Sequence, residues 1–262
     1  MTTNTLKAKL RAGGHAAGTM HLELQSSGLG RILHAAGAEF CVFDMEHSGW
    51  GLETVKQLVG STRGTAVTPL VRVPTVDYQH IAGALDMGAH GLIFPLVNTP
   101  EQAKYAVECA MYPPQGKRGC AFGLTHDDYQ PGDLCTALAH ANANVLLIAQ
   151  IETVEALNNI DAIAATPGID GLWLGQFDLT ASMGLPGQFT HPEFLLAVEA
   201  FRKACRKACR DSGKIAVLAS THPAELAGGP ALGYRMLVYL ADVWIYQKAL
   251  CDGLGVARAS CP

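Results

Sequence analysis

Val145-Leu146-Leu147-Ile148-Ala149-Gln150-Ile151-Glu152 is a nearly unbroken apolar run that ends on a carboxylate. Further along, Gly171-Leu172-Trp173-Leu174 leads in the same way into Gly175-Gln176-Phe177-Asp178. Short apolar runs bounded by turn residues are how strands buried on both faces read. A carboxylate at the mouth of such a strand is an odd choice for a core. Two of them, Glu152 and Asp178, at consecutive strand ends imply a shared ligand, and a hard divalent cation is the first candidate.

Outward from these two runs, the chain alternates short apolar segments with longer helical patterns. Strands are predicted over 18–24, 39–43, 69–73, 91–95, 145–150, 171–174, 214–218 and 235–239. Helices are predicted over 29–36, 52–60, 78–87, 100–111, 134–142, 156–165, 192–211, 223–231 and 243–254. Ile81, Leu85 and Gly88 share one helical face, as do Phe194, Val198, Phe201 and Cys205. Thr190-His191-Pro192-Glu193 reads as a helix start, with Thr190 as the capping hydroxyl. Eight strands, each followed by a helix, in about 250 residues is the pattern of a (β/α)8 TIM barrel. The whole of 1–262 is read as that one domain. A doubly wound sheet is the rival, but Gly28-Leu29-Gly30 after the first strand lacks the third glycine of a dinucleotide fingerprint, and no phosphate-cradling loop is present.

Composition narrows the function classes. A net charge of −4 with 16% charged residues argues against nucleic acid as a partner. The basic cluster Arg202, Lys203, Arg206, Lys207 and Arg210 reads as a solvated helix face. No run approaches the roughly 20 apolar residues of a membrane span. Residues 1–11 are a polar lead into a short helix, so a cytoplasmic location is expected. Eight cysteines without a C-x-x-C pair are expected to be mostly free thiols.

In such a barrel, functional residues gather at the C-terminal strand ends. There the sequence places Asp44-Met45-Glu46-His47, Arg72, Gln150, Glu152, Gly175 and Asp178, whereas the opposite turns carry plain punctuation such as Gly88-Ala89 and Pro167-Gly168. An arginine closing the strand Pro69-Leu70-Val71 would point into the barrel mouth and there must meet an anion. By pattern alone Asp86 is an exposed helix residue, and Arg118 is either a loop charge or a functional one.

Asp44-x-Glu46-His47, Arg72-Val73-Pro74, Leu85-Asp86-x-Gly88-Ala89-x-Gly91, Tyr112-Pro113-Pro114-x-Gly116-x-Arg118-Gly119, Gln150-Ile151-Glu152 and Gly175-x-x-Asp178-Leu179-Thr180 occur in that order. Together they resemble the HpcH/HpaI family of metal-dependent (class II) pyruvate aldolases, over about 6–254. The resemblance implies a divalent Mg²⁺, Mn²⁺ or Co²⁺ ion held by Glu152 and Asp178. It implies a 2-oxoacid such as pyruvate as one substrate and an aldehyde as the other, joined or cleaved through an enolate. It gives Arg72 the developing oxyanion and His47 the proton, with Asp44 or Asp86 orienting the imidazole. Gln150, Gly175, Gln176, Phe177 and Arg118 would complete substrate binding. It also implies a homo-oligomer, a hexamer built as a dimer of trimers, with the last helix exchanged between subunits.

The chain departs from that family at Gln176, where relatives carry a proline or similar. It departs again in 120–129, which lacks an arginine many aldolases have, and at the strand-eight end Val238-Tyr239-Leu240-Ala241-Asp242. These departures leave open a citrate-forming synthase that condenses oxaloacetate with acetyl-CoA. A barrel kept only for binding is the third alternative, and it gives no reason to keep buried charges.

Overall fold

Each apolar run named above becomes a strand, and the eight strands hydrogen-bond in chain order until the last returns to the first. The structure is a computed structural model that describes residues 3–130 and 132–259. Helix α1 (Thr5–Arg11) precedes β1 (Ala16–His21), α2 (Leu29–Ala35), β2 (Phe40–Asp44), α3 (Leu52–Ser61), β3 (Thr68–Arg72) and α4 (Tyr78–Asp86). Then come β4 (Gly91–Phe94), α5 (Pro100–Ala110), a 3-10 turn (Thr125–Asp127), α6 (Leu134–Asn144) and β5 (Leu146–Ile151). The chain continues with α7 (Val154–Asn158), α8 (Ile160–Ala165), β6 (Gly171–Leu174), α9 (Gln176–Ser182) and α10 (Pro192–Ser212). It closes with β7 (Ile215–Ser220), α11 (Pro223–Gly228), β8 (Met236–Tyr239) and α12 (Asp242–Ala259). All pairings are parallel, so this is the expected (β/α)8 barrel. No described helix is long and apolar enough to cross a membrane.

Four local expectations are corrected. The first strand ends at His21 because the next three amides, of Leu22, Glu23 and Leu24, leave the sheet and donate to the Asp242 carboxylate at 3.0, 3.0 and 2.7 Å. The helix over 156–165 is two pieces, parted where Asn159 turns its side chain to the Asn98 carbonyl at 2.8 Å. Helix α9 adds an element to the expected helices; its seven residues begin one residue after β6, beyond Gly175. At α10 the cap is His191, whose Nδ1 accepts from the Glu193 amide, and Thr190 lies outside the helix.

Strand alternation fixes which side chains fill the barrel. Phe40 and Val42, Leu70, Ile93, Leu146 and Ile148, Ile215 and Val217, and Met236 and Val238 all point inward and form one apolar cluster. Helix α1 plugs the N-terminal end, with Leu6 and Leu10 joining that cluster. Lys7, 3% exposed, donates there to the Val145 carbonyl and to Asp170, 2.8 Å away. The outer cluster lies between the strands and helices α2 to α5, α8 and α10. At the N-terminal turns Gly88 and Gly168 take φ of +95° and +93°, a region closed to most side chains, so glycine serves there as punctuation.

One foot-of-barrel residue titrates in an unusual range. His90, just before β4, is pushed down to about 4, first by burial and then by the positive charge of Arg63, with Asp128 opposing. An unfolded histidine binds its proton near pH 6.5, so between pH 6.5 and 4 the unfolded chain holds more protons than the native one. Native stability therefore falls as pH falls through that window, by up to about 3 kcal/mol from this residue. Replacing His90 with leucine is expected to make the acid limb of a urea-unfolding series shallower by about 1.4 kcal/mol per pH unit near pH 5.

Candidate functional site

The parity that sends Val42, Leu70 and Ile148 into the barrel sends Asp44, Arg72 and Gln150, two residues on, into its C-terminal mouth. Asp44 and Arg72 are register partners on β2 and β3. Arg72 Nε and Nη2 donate to the two Asp44 oxygens, each at 2.7 Å, a bidentate fork with Asp44 fully buried. The same carboxylate accepts the backbone amides of Glu46 and His47 at 3.0 and 3.2 Å. Four donors thus satisfy Asp44, whose work is to aim Arg72 and shape the loop after β2. The remaining Arg72 nitrogen, Nη1, donates to Gln150 Oε1 at 3.4 Å, and Gln150 Nε2 donates to Glu152 Oε2 at 3.2 Å. A continuous polar chain therefore runs from Asp44 through Arg72 and Gln150 to Glu152.

Glu152 is 1% exposed, and its Oε1 accepts the amide of Leu96, a residue held at φ +51°. Burial pushes the Glu152 carboxyl up to about 7; the Leu96 bond opposes this, and the charges of Glu46 and Asp178 add to it. Glu46 is likewise pushed up to about 7 by burial, against the pull of Arg72 and with the push of Asp44 and Asp178. Its Oε2 lies 3.1 Å from Arg72 Nη1, yet off the hydrogen-bonding direction, so this buried oxygen makes no hydrogen bond. Asp44, Glu46 and Glu152 thus crowd one guanidinium, with the exposed Asp178 close enough to be felt by Glu46 and Glu152. Such an excess of carboxylate oxygens, all of them hard donors, fits a divalent cation. Glu152 and Asp178 could supply two ligands, with water and substrate oxygens as the rest; among the described residues no group of three or more His, Cys, Asp or Glu is arranged to hold a metal.

Gly175, at the end of β6, is part of this arrangement. A Cβ there would stand 2.3 Å from Glu152 Oε2 and 2.6 Å from Glu152 Cβ. Only a glycine lets the Glu152 side chain lie where it does. Gly175→Ala is expected to lower turnover by about 100-fold, the usual cost of misplacing a reacting group by an ångström. Its melting temperature should fall as well, because Glu152 Cβ, 2.6 Å from the new methyl group, is fixed to the backbone and cannot swing aside. Kinetics and thermal denaturation on the same sample check both halves.

These groups open into a cavity of about 400 Å³ whose two halves differ. Strands β2, β3 and β5 contribute the polar half: His47, Arg72, Gln150 and Glu152. Strands β6, β7, β8 and β1, with the start of α12, contribute Trp173, Ala219, Leu240, Met20, Leu22 and Trp244. Asp178 and Phe177, on the first turn of α9, stand where the halves meet.

The sequence-predicted residues divide into two groups. Asp44, His47, Arg72, Gln150, Glu152, Gly175, Gln176, Phe177 and Asp178 come together at this mouth. Asp86 and Arg118 do not. Helix α4 begins at the mouth after β3 and must return to the foot before β4, so Asp86, its last residue, lies at the opposite rim. There its carboxylate accepts from Arg118 Nη2 at 2.6 Å, and Arg118 lines a small cavity with His90, His126 and Asn144. Within one protomer, then, Asp86 is not placed to orient His47, nor Arg118 to touch a substrate in the mouth. Asp44 does not orient the imidazole either, since it holds the His47 amide; the His47 ring is half exposed, with Nε2 3.8 Å from Glu46 Oε2. Glu46, between Asp44 and His47, is a further residue of the site whose role its place in the sequence does not reveal. Its buried, unbonded oxygen becomes visible only in three dimensions.

A family model described as HpcH/HpaI aldolase/citrate lyase matches residues 19–222. A curated relative from Shigella sonnei (strain Ss046), named 5-keto-4-deoxy-D-glucarate aldolase, is 36% identical over 168 residues, 64% of this chain and 65% of the relative. The match thus spans slightly less than two thirds of the relative's own length. Among solved structures, an HpcH/HpaI aldolase from Desulfitobacterium hafniense DCB-2 aligns with a TM-score of 0.91 at 29% identity, covering 98% of this chain and 97% of that one. Citrate synthase SbnG aligns with a TM-score of 0.86 at 27% identity, covering 97% of each chain.

Proposed function

Since the chain belongs to the HpcH/HpaI aldolase/citrate lyase family, we propose that it is a divalent-metal-dependent aldolase that reversibly cleaves a 4-hydroxy-2-oxoacid to pyruvate, or a related 2-oxoacid, and an aldehyde. The observation that carries this reading is the chain Asp44–Arg72–Gln150–Glu152 at one wall of a cavity that His47, Gln176 and Asp178 also line. Glu152 and Asp178 would hold a Mg²⁺, Mn²⁺ or Co²⁺ ion, which when bound acts as a Lewis acid on the keto oxygen and lowers the barrier to forming the enolate.

The chain's own groups account for the rest. Arg72 is held rigid by Asp44 and directs Nη1 into the site, where it donates to the oxygen that gains charge. Gln150 ties that nitrogen to Glu152 and presents its amide to the 2-oxoacid. His47 Nε2, at the mouth, moves the proton. In cleavage the 4-hydroxyl loses a proton, and the electron pair of the bond between carbons 3 and 4 passes onto the 2-oxoacid fragment. The aldehyde departs, and the fragment takes one proton at carbon 3 to become pyruvate; nothing is oxidised or reduced.

Purified protein with Mn²⁺ or Mg²⁺ is expected to release pyruvate from 4-hydroxy-2-oxoacids, 5-keto-4-deoxy-D-glucarate among those to try. Exhaustive EDTA treatment should abolish the activity and added Mn²⁺ restore it, while borohydride with substrate should trap no lysine. Full activity after chelation would remove the metal from the reading. The likeness to citrate synthase SbnG supports one competitor, condensation of oxaloacetate with acetyl-CoA, which thioester consumption would reveal. We also propose a homo-oligomer, a hexamer formed as a dimer of trimers with α12 exchanged between subunits. Helix α12 supports this by leaving Trp244, Tyr246, Leu250 and Leu254 each at least 42% exposed, and light scattering tests it.

A further inference from the structure

We infer that the aldehyde this cavity accepts is uncharged and apolar, a straight-chain or aromatic aldehyde rather than one bearing a carboxylate. The inference rests on the aldolase reading and deepens it. The half of the cavity away from Arg72 and Glu152 is walled by Met20, Leu22, Trp173, Leu240 and Trp244, with Phe177 at its rim. Among the described residues no lysine lines the cavity, and the one arginine there, Arg72, is already engaged by both oxygens of Asp44 and stands beside Glu46 and Gln150. The remaining basic group, His47, lies in the polar half with Nε2 3.8 Å from Glu46. His21, near the apolar wall in sequence, is turned outward to Asp242, 3.4 Å away, and does not line the cavity.

A second carboxylate on the acceptor would therefore lose its water against indole and aliphatic groups and gain no cation. It would also meet the field of Asp44, Glu46, Glu152 and Asp178. Burying an unpaired charge in that way is strongly unfavourable. An alkyl or phenyl tail instead displaces water from the same wall, with a gain of about fourfold in affinity per methylene buried. A volume of about 400 Å³ lies at the small end of ligand pockets and leaves room for a modest tail beside a three-carbon oxoacid. In the forward direction the carbon–carbon bond joins the pyruvate methyl carbon, less one proton, to the aldehyde carbon, whose oxygen takes up one proton.

The test uses the whole protein with Mn²⁺, pyruvate, and acceptors of matched size: propanal to hexanal and benzaldehyde against glyoxylate and succinic semialdehyde. We expect kcat/KM for the aldehyde to rise about threefold to fourfold per methylene from propanal. Hexanal should exceed succinic semialdehyde at least tenfold. Trp244→Arg, which sets a cation in the apolar wall, should lower the hexanal to succinic semialdehyde ratio at least tenfold. Phe177→Arg, at a position 56% exposed, repeats the test should the first variant fail to fold. Equal or better use of the acids by the wild type, or an unmoved ratio in the folded variants, would overturn the inference. Metal-dependent exchange of the pyruvate methyl protons in D₂O needs no aldehyde and separates the two levels. Exchange without apolar preference overturns the acceptor class and leaves the aldolase reading standing; no exchange overturns the aldolase reading and the acceptor class with it.

Discussion

Glu152→Gln is expected to fold normally and to lose at least 1,000-fold in pyruvate release. The amide keeps an oxygen that can accept the Leu96 N–H, but its NH₂ then faces the Gln150 Nε2 donor, so the bond to Gln150 is lost or Gln150 must flip and give up Arg72 Nη1. The charge disappears as well. Without it the repulsion among Glu46, Glu152 and Asp178 eases, so in the absence of divalent ions the variant should melt at or above the wild-type temperature. Added Mn²⁺ separates the two proteins further. A ligand at 100 times its dissociation constant stabilises the native state by about 2.7 kcal/mol. Wild type should show that rise in a melting experiment, and Glu152→Gln should show little or none. A variant that kept both activity and the Mn²⁺ shift would remove Glu152 from the site.

Arg72→Ala should damage both stability and catalysis, and Arg72→Lys should separate the two. Deleting the guanidinium leaves Asp44, fully buried, with two of its four donors gone. Breaking a buried pair from one side costs roughly 3–5 kcal/mol, a large share of the roughly 5–15 kcal/mol that holds a typical domain folded. Loss of a preorganised donor at the oxyanion costs a further 100- to 1,000-fold in turnover. Lysine restores the charge as a single point; it cannot engage both Asp44 oxygens and also reach Gln150. Urea unfolding should therefore show part of the stability recovered in Arg72→Lys, while pyruvate release stays near the alanine level. Wild-type turnover in Arg72→Lys would mean that Nη1 is not used.

The barrel was legible because parallel strands covered on both faces read as continuous apolar runs, and because chemistry collected at one end of them. Asp44, Arg72 and Gln150 were legible for the same reason: each closes a run whose inward parity it inherits. Asp86 and Arg118 entered through resemblance, and the topology removes them from the mouth of their own protomer, since a helix that starts at the mouth ends at the foot. Helix α9 escaped notice because seven residues after a strand carry too little periodicity. The apolar wall was beyond reach for another reason. Met20 and Leu22 meet Leu240 and Trp244 only because β1 pairs with β8, and nothing local in either segment announces that closure. Asp242 drew attention as a departure at the end of strand eight; its work as an acceptor for three amides required the fold.

That carboxylate also has a mechanical meaning. Asp242 is the first residue of α12, and it grips the chain where β1 gives way to the loop. Burial opposes its ionisation, but His21 and the three amides outweigh this and hold it far below the usual carboxylate range. Leu22 and Trp244, which come from opposite ends of the sequence, are thereby coupled like two jaws on one pivot. A force that tilts α12, such as a neighbouring molecule leaning on its exposed flank, would be passed to Leu22 and would alter the width of the opening through which substrates pass.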